Sequence, residues 1–143
     1  MPISPTDPRF RALPDATREV SADVRAFDAA TAARVSTEYL DHGYWEGLEV
    51  DRRWLVIGDN PIGDHWLLGP DGEVWFFDHN FGERAVHLFE PLQISVAEWL
   101  MMAHLLGRAE RATAPIDPDR LTAAIAAISP DLAERWPYEL DSL

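Results

Sequence analysis

The sequence predicts an α+β fold, a single domain in which a central antiparallel or mixed sheet packs against helices. Three apolar runs, cut by turn residues at close intervals, follow one another between residues 53 and 79, and segments with helical signals lie before and after them. This order is typical of α+β domains, and we expect the helices to cover one side of the sheet. A chain of 143 residues is long enough for one hydrophobic core and short for two.

The chain is expected to begin with an arm, and the domain follows it. Residues 1–14 hold four prolines and little periodicity, which predicts an extended arm of low order, and residues 15–143 form the domain. A short strand is expected within residues 16–24. A helix should begin after Asp28, a residue type that caps helix N-termini, and should end near Gly43.

A β-hairpin is the strongest local signal in the chain. Residues 65–68 and 73–78 are rich in aromatic and branched side chains, which suit strands, and they flank Gly69-Pro70-Asp71-Gly72. Asp-Gly tolerates the positive φ of a tight turn, and the proline fixes its own φ at the turn entrance. Side chains alternate along a strand, so Trp66 and Trp75 should face opposite sides of the hairpin.

The elements around the hairpin follow from apolar runs and helix caps. Residues 54–57 form an apolar run that predicts a strand, and residues 85–89 are a further strand candidate. Ser95 and Glu98 have the spacing of a capping box, so a helix should start there, and Gly107 is its expected stop.

Two shorter helices are expected near the C-terminus, as a helical extension of the domain. Asp117 and Ser129 each precede a proline, an arrangement that suits the first turn of a helix. They predict helices over residues 119–128 and from 131 to about 136. The residues expected to hold the whole framework are Trp54, Gly58, Gly63, Asp64, Gly72, Asp78 and Trp99.

Composition narrows the classes of function. The chain has 25 acidic and 12 basic residues, a net charge of −13, and phosphate binding needs clustered basic residues, so nucleic acid is not the expected partner. The charge suits a basic protein partner, although acidity also serves solubility alone. The absence of cysteine excludes a disulfide scaffold and a thiol nucleophile. With neither a signal-peptide pattern nor a membrane-spanning stretch, the protein is expected to be cytoplasmic, with no membrane partner.

Two Asp-His pairs, Asp64-His65 and Asp78-His79, are the candidates for catalysis or metal binding. Imidazole and carboxylate are good ligands, and a hairpin can bring its far ends together. Adjacent strand residues point to opposite faces, however, so each pair can offer only one ligand to a common site. We therefore expect each carboxylate to bond a backbone donor and not a metal ion. No serine lies in a strand-to-helix elbow either.

An acidic binding face is expected around the hairpin and its neighbouring loops. Acids on exposed turns steer a basic partner and raise its association rate. Aromatic residues in loops are candidates for anchors at the centre of an interface. The expected acids are Glu46, Glu49, Asp59, Asp71, Glu73 and Glu83, and the expected anchors are Tyr44, Trp45 and Phe81.

Four short motifs occur in a fixed order through the central block and the helix that follows it. They are WLVIGDN at 54–60, GDHWLL at 63–68, GEVWFFDHN at 72–80 and VAEWLMMAHLL at 96–106. In this order the block resembles the SUKH superfamily, whose members include fungal cell-wall synthesis regulators and many bacterial toxin-immunity proteins. The chain departs from the family pattern after Leu13-Pro14, where the expected Asn-Gly-Gly turn is missing, and from Arg108 onwards, which looks like an addition.

The resemblance implies a binding module without catalytic residues or cofactors. Such a protein would dock on a cognate toxin domain, often of nuclease or deaminase type, and block it. Two alternatives remain open: a general regulatory or scaffold domain without a toxin partner, and a metal-dependent hydrolase built on the Asp-His pairs.

Overall fold

The computed structural model describes residues 2–41, 51–81 and 85–140. In these residues six strands form one antiparallel sheet, in which each strand pairs with the next strand along the chain. Its strands are β1 (Arg18–Ser21), β2 (Val24–Ala26), β3 (Leu55–Asp59), β4 (His65–Leu68), β5 (Val74–Phe77) and β6 (Glu90–Pro91). The α-helices are α1 (Ala29–Asp41), α2 (Val96–Glu110), α3 (Pro118–Ile128) and α4 (Leu132–Arg135), and short 3-10 helices span Pro8–Phe10, His79–Phe81 and Val86–Leu88. The predicted α+β class, with a central antiparallel sheet and helices packed against it, is confirmed.

Helices cover both faces of the sheet, so the expectation of one covered side is wrong. On one face the ring of Trp99 in α2 lies 5.9 Å from the ring of Trp66 in β4. The hydroxyl of Tyr39 in α1 lies 2.6 Å from Nε2 of His65, the residue before Trp66. Because neighbouring strand residues point to opposite faces, α1 and α2 lie on opposite sides of the sheet. This explains why residues 55–58 of β3 are all buried.

The tryptophans form the core on both faces. Trp54 and Trp99 are buried, as expected of framework residues, and of the pair Trp66 and Trp75 it is Trp66 that is buried. Trp75 is only partly buried, and its ring packs edge-on against that of Trp54 at 5.3 Å, on the face opposite Trp66. The ring of Trp66 also lies 4.9 Å from that of Trp136, which ties the C-terminal segment to the sheet.

The N-terminal segment packs on the domain, in contrast to the expected arm of low order. Ile3 and Phe10 are buried in the core, and the backbone N–H of Ile3 donates to Oγ1 of Thr37 in α1 at 2.9 Å. Helix α1 begins after Asp28 as expected, since the Asp28 carboxylate accepts from the N–H of Thr31 at 2.8 Å. Its expected stop, Gly43, lies outside the described residues.

Two expected strands differ in the structure. The region around residues 16–24 forms a hairpin of two strands, β1 and β2, instead of one. The expected strand at 85–89 is a 3-10 helix, Val86–Leu88, and pairing with β5 starts only at β6. The helical turn brings Phe89 into the core, where its ring lies 5.0 Å from that of Trp54.

Helix α2 starts as predicted and ends later. The Ser95 hydroxyl accepts from the N–H of Glu98 at 3.1 Å and the Glu98 carboxylate accepts from the N–H of Ser95 at 2.8 Å, which completes the capping box. The helix then continues through Gly107 to Glu110. A Cβ at Gly107 would lie 2.1 Å from the carbonyl oxygen of Val20 in β1. Glycine is therefore needed there for close packing, and it does not stop the helix.

Of the two caps predicted for the C-terminal helices, one is confirmed and the other is wrong. The Asp117 carboxylate accepts from the N–H of Asp119 at 3.0 Å and caps α3. Ser129 does not cap α4, because its hydroxyl accepts from the guanidinium of Arg135 at 3.1 Å. Instead α4 follows Asp131, which has a φ of 63°. In the described part of the chain, no helix has the length and apolar character needed to cross a membrane.

We expect Gly107→Ala to destabilise the protein by roughly 1–3 kcal/mol, because the added methyl group overlaps the backbone of β1. Helix propensity alone predicts the opposite sign, a stabilisation of about 1 kcal/mol. Urea unfolding followed by tryptophan fluorescence measures the sign directly. A variant more stable than the parent protein would show that α2 does not approach β1 this closely.

Candidate functional site

Asp64, at the turn between β3 and β4, is a buried carboxylate bonded to three separate segments of the chain. Its Oδ1 accepts from the backbone N–H of His79 at 3.0 Å and from Nδ1 of the same residue at 2.5 Å. Its Oδ2 accepts from the hydroxyl of Tyr138 and from the side-chain amide of Asn60, the latter at 3.5 Å. The side chain is only 4% exposed, so these donors replace water around the charge.

The turn that places Asp64 is held by Asn60. Oδ1 of Asn60 accepts from the backbone N–H groups of Ile62 at 3.2 Å and Asp64 at 3.1 Å, an arrangement typical of Asx turns. Gly63 has a φ of 96° within this turn and Gly72 has a φ of 80° in the hairpin turn, a backbone conformation that glycine adopts readily. The amide of Asn60 also donates to the hydroxyl of Tyr138.

The pKa of Asp64 lies below its ordinary value. Burial by itself raises the pKa of this carboxyl, but hydrogen bonds from Tyr138, His79 and Asn60 favour the charged form more strongly. Burial, together with the neighbouring carboxylate of Asp64, raises the pKa of Tyr138 well above that of a free tyrosine. The tyrosine therefore keeps its proton at neutral pH, and its hydroxyl donates a hydrogen bond to the charged Asp64.

Asp64, Asp78 and His79 have the residue types of a metal site. One possible ligand atom from each lies within 4.8 Å of the others. The second Asp-His pair thus contributes both its members, against expectation, because these residues follow the end of β5 and enter a 3-10 helix. Of the first pair, only Asp64 takes part, since His65 meets Tyr39 on the opposite face.

The spacing of these atoms fits hydrogen bonding better than metal coordination. Oδ1 of Asp64 and Nδ1 of His79 are 2.5 Å apart, whereas two ligands of a tetrahedral zinc ion lie about 3.3 Å apart. Oδ1 of Asp78 accepts from the backbone N–H of Asn80 at 2.8 Å. An ion would have to break these bonds and displace the proton on Nδ1. The hydrogen bonds hold the charged carboxylate of Asp64 in place, and the carboxylate oxygens that could bind an ion already accept hydrogen bonds.

The acids predicted to form one binding face are divided between the two ends of the sheet. Asp59 ends β3 next to the Asp64 turn, where its carboxylate pairs with Arg25 at 2.6 and 2.7 Å. Asp71 lies at the opposite end, in the β4–β5 turn, and accepts from the N–H of Glu73 at 3.0 Å and from Nε1 of Trp75 at 3.1 Å. Five further predicted residues lie outside the described residues: Tyr44, Trp45, Glu46, Glu49 and Glu83.

Two large apolar side chains are exposed beside Asp64. Ile62 is 59% exposed and lies two residues before Asp64, and Phe81, an expected anchor, is 50% exposed and lies two residues after His79. We call residues 59–64 and 78–81 together the Asp64 edge. Ile62 and Asn60 were not anticipated as site residues; an apolar residue inside the polar turn Asn60–Asp64 was the available signal.

Comparison with known proteins identifies no relative of this chain. No family model, no curated protein and no solved structure matches the chain. The function is therefore inferred from the Asp64 edge and its surroundings.

We expect Asp64→Ala to lower the free energy of unfolding by about 3 kcal/mol at neutral pH, because it removes a buried charged acceptor that accepts hydrogen bonds from His79, Tyr138 and Asn60. Asp78→Ala serves as the matched control. Asp78 is more exposed, and its side chain bonds the N–H of Asn80, so a loss of about 1 kcal/mol is expected. Equal losses in urea unfolding would contradict the role given to Asp64.

The stabilising effect of Asp64 should depend on pH. Its folded pKa is depressed, so its contribution is fully present above the unfolded pKa of about 3.9 and is lost as the pH falls through the folded value. The difference in unfolding free energy between the parent protein and Asp64→Asn should therefore be constant near neutrality and shrink below about pH 4. A difference that persists unchanged in strong acid would show that the charge is not its source.

We expect the purified protein to contain no stoichiometric zinc, calcium or manganese, because the candidate ligands already bond one another and the backbone. Elemental analysis of protein purified without chelators makes the measurement. One tightly bound ion per chain that is lost in Asp64→Asn would contradict this and favour a metal-dependent enzyme.

Proposed function

We propose that this chain is a non-catalytic binding module that recognises a basic protein through the Asp64 edge. The observation that carries the proposal is the pair Ile62 and Phe81, both at least half exposed on two loops that Asp64 joins. Large apolar side chains anchor interfaces best when they are already ordered, because less conformational entropy is lost on binding.

Carboxylates gather around the same edge and suit a basic partner. Burial, and then the charge of Asp78, raises the pKa of Glu90 in β6. Burial, and then the charges of Glu110 and Asp64, raises the pKa of Asp23 between β1 and β2. Acids close enough to shift one another's pKa repel, and a cationic partner relieves that repulsion. The net charge of −13 adds long-range attraction that speeds the encounter.

The resemblance of the central block to the SUKH superfamily supports a more specific proposal. Under this proposal the protein is a bacterial immunity protein. It binds a cognate toxin domain, of nuclease or deaminase type, and neutralises that domain in the cytoplasm. A general regulatory or scaffold domain would use the same surface without a lethal partner. The neighbouring reading frame separates the two, since a long secreted protein with a small variable C-terminal domain supports immunity.

We expect Ile62→Ala combined with Phe81→Ala to weaken binding of the toxin domain encoded by the adjacent gene by about 100-fold, because each truncated anchor costs on the order of 1–2 kcal/mol. Titration calorimetry with the purified domain measures the affinity. Met101→Ala is the matched control, since Met101 is 55% exposed but lies on α2, away from the Asp64 edge.

Two outcomes with these variants would contradict the proposal. Unchanged affinity in the double variant, or an equal loss in Met101→Ala, would exclude the Asp64 edge as the binding surface. A partner that binds equally well at high and low salt would contradict the role given to the acids.

A further inference from the structure

A groove runs along the outward side of α2, away from the core. It consists of two hollows of about 510 and 520 Å³ that share Ala12 and Ala97. The first lies between the N-terminal segment, the β4–β5 turn and the start of α2. The second continues between α2 and α3. The groove begins at the opposite end of the hairpin from the Asp64 edge.

Helix α2 is apolar on this outward side as well as on the side that faces the sheet. Leu100, Met101 and Leu105 line the groove, and Met101 is 55% exposed. The inward face carries Trp99 and Leu106, both buried. A helix that is apolar on two faces is typical of one with neighbours on both. The sheet covers the inward face, whereas the N-terminal segment and α3 flank the outward face and leave Met101 exposed.

The charged residues that line the groove are all cationic. Among the described residues no carboxylate lines the groove, although the chain carries 25 acidic residues against 12 basic ones. In the part of the chain that the structure describes, its charged or titratable lining residues are Arg9, Arg11, Arg53, His104 and Arg108.

Two of these arginines are available to a ligand. Arg9 and Arg53 already pair with the carboxylates of Asp7 and Asp51, at 2.7 and 3.0 Å. Within residues 2–41, 51–81 and 85–140, Arg11 in the first hollow and Arg108 in the second form no ion pair. Each hollow therefore offers a cationic group beside apolar surface.

We propose that this groove binds an acidic, apolar segment of a partner protein in extended form. The apolar stripe of α2 takes alternate apolar side chains of that segment, and Arg11 and Arg108 pair with its carboxylates. From Ala97 to Arg108 the helix rises about 16 Å. An extended chain advances about 3.3 Å per residue, so roughly five residues span this stretch of the groove.

A protein segment fits this groove better than a nucleic acid does. Single-stranded nucleic acids bind through bases stacked on aromatic side chains, and no Phe, Tyr or Trp is among the described residues that line the groove. The surface is separate from the Asp64 edge and opposite to it in charge, so the chain can hold a basic and an acidic partner at once.

The test uses a fluorescein-labelled peptide of about ten residues with alternating glutamate and leucine, long enough to extend past both ends of the roughly five-residue stretch along α2. Fluorescence anisotropy should show saturable binding to the parent protein. Peptides of alternating lysine and leucine, or glutamate and serine, should bind at least about tenfold more weakly, because each lacks one of the two features that the groove recognises.

Variants of the groove identify the site. Arg11→Glu with Arg108→Glu should weaken binding by about tenfold or more, since two attractive pairs become repulsive. Met101→Ser should also weaken it, whereas Arg120→Glu, the same charge reversal on α3 outside the groove, should not. Ile62→Ala with Phe81→Ala should leave peptide binding unchanged. These side chains are exposed, so unchanged unfolding midpoints are expected to confirm that the variants fold.

Several results would overturn the proposal. One is a dissociation constant for the glutamate–leucine peptide weaker than about 1 mM. Equal binding by the Arg11→Glu, Arg108→Glu variant, or tighter binding of the lysine–leucine peptide, would do so too. Saturable binding of labelled oligothymidylate that is lost in the same variant would make nucleic acid the occupant. A dimer in sedimentation equilibrium that Arg108→Glu dissociates would make the occupant a second copy of the chain.

Discussion

The charge of Asp64 sets the geometry of one end of the sheet. An isolated carboxylate in a protein interior costs several kcal/mol, so it is found only where donors surround it. Here the donors come from the β3–β4 turn, from the 3-10 helix after β5 and from the segment after α4. Movement of any one of them would leave the charge uncompensated, so the three segments hold one another, and Ile62 and Phe81 are held with them.

The close approach of α2 to the sheet determines the position of the groove along the outward side of this helix. A Cβ at Gly58 would lie 3.0 Å from the ring of Trp99, and one at Gly107 would lie 2.1 Å from the carbonyl oxygen of Val20. The two glycines let the helix sit low on the sheet, with its larger apolar residues buried beneath it. Its outward side is left as the floor of a groove between the N-terminal segment and α3. The fold thus carries two surfaces of opposite charge.

Those elements that depend on local chemistry could be predicted from the sequence. The Asp71-Gly72 turn, the capping box at Ser95 and the Asp117 cap each involve residues within a few positions of one another. Coverage of both sheet faces could also be predicted from the unbroken apolar run of β3, because a strand that is buried on both faces does not alternate between apolar and polar residues. Gly107 could not be assigned from sequence, because glycine serves both helix ends and close contacts. The bond between Asp64 and Tyr138 joins residues 74 positions apart, and no local pattern reports it.

The most direct test of this account is amide hydrogen exchange on the parent protein and on Asp64→Asn at neutral pH. If the carboxylate joins the three segments, exchange should rise together in residues 60–64, 78–81 and 136–140, while the inward face of α2 keeps its protection. Faster exchange in the β3–β4 turn alone, or an equal rise throughout the chain, would contradict the central role of Asp64.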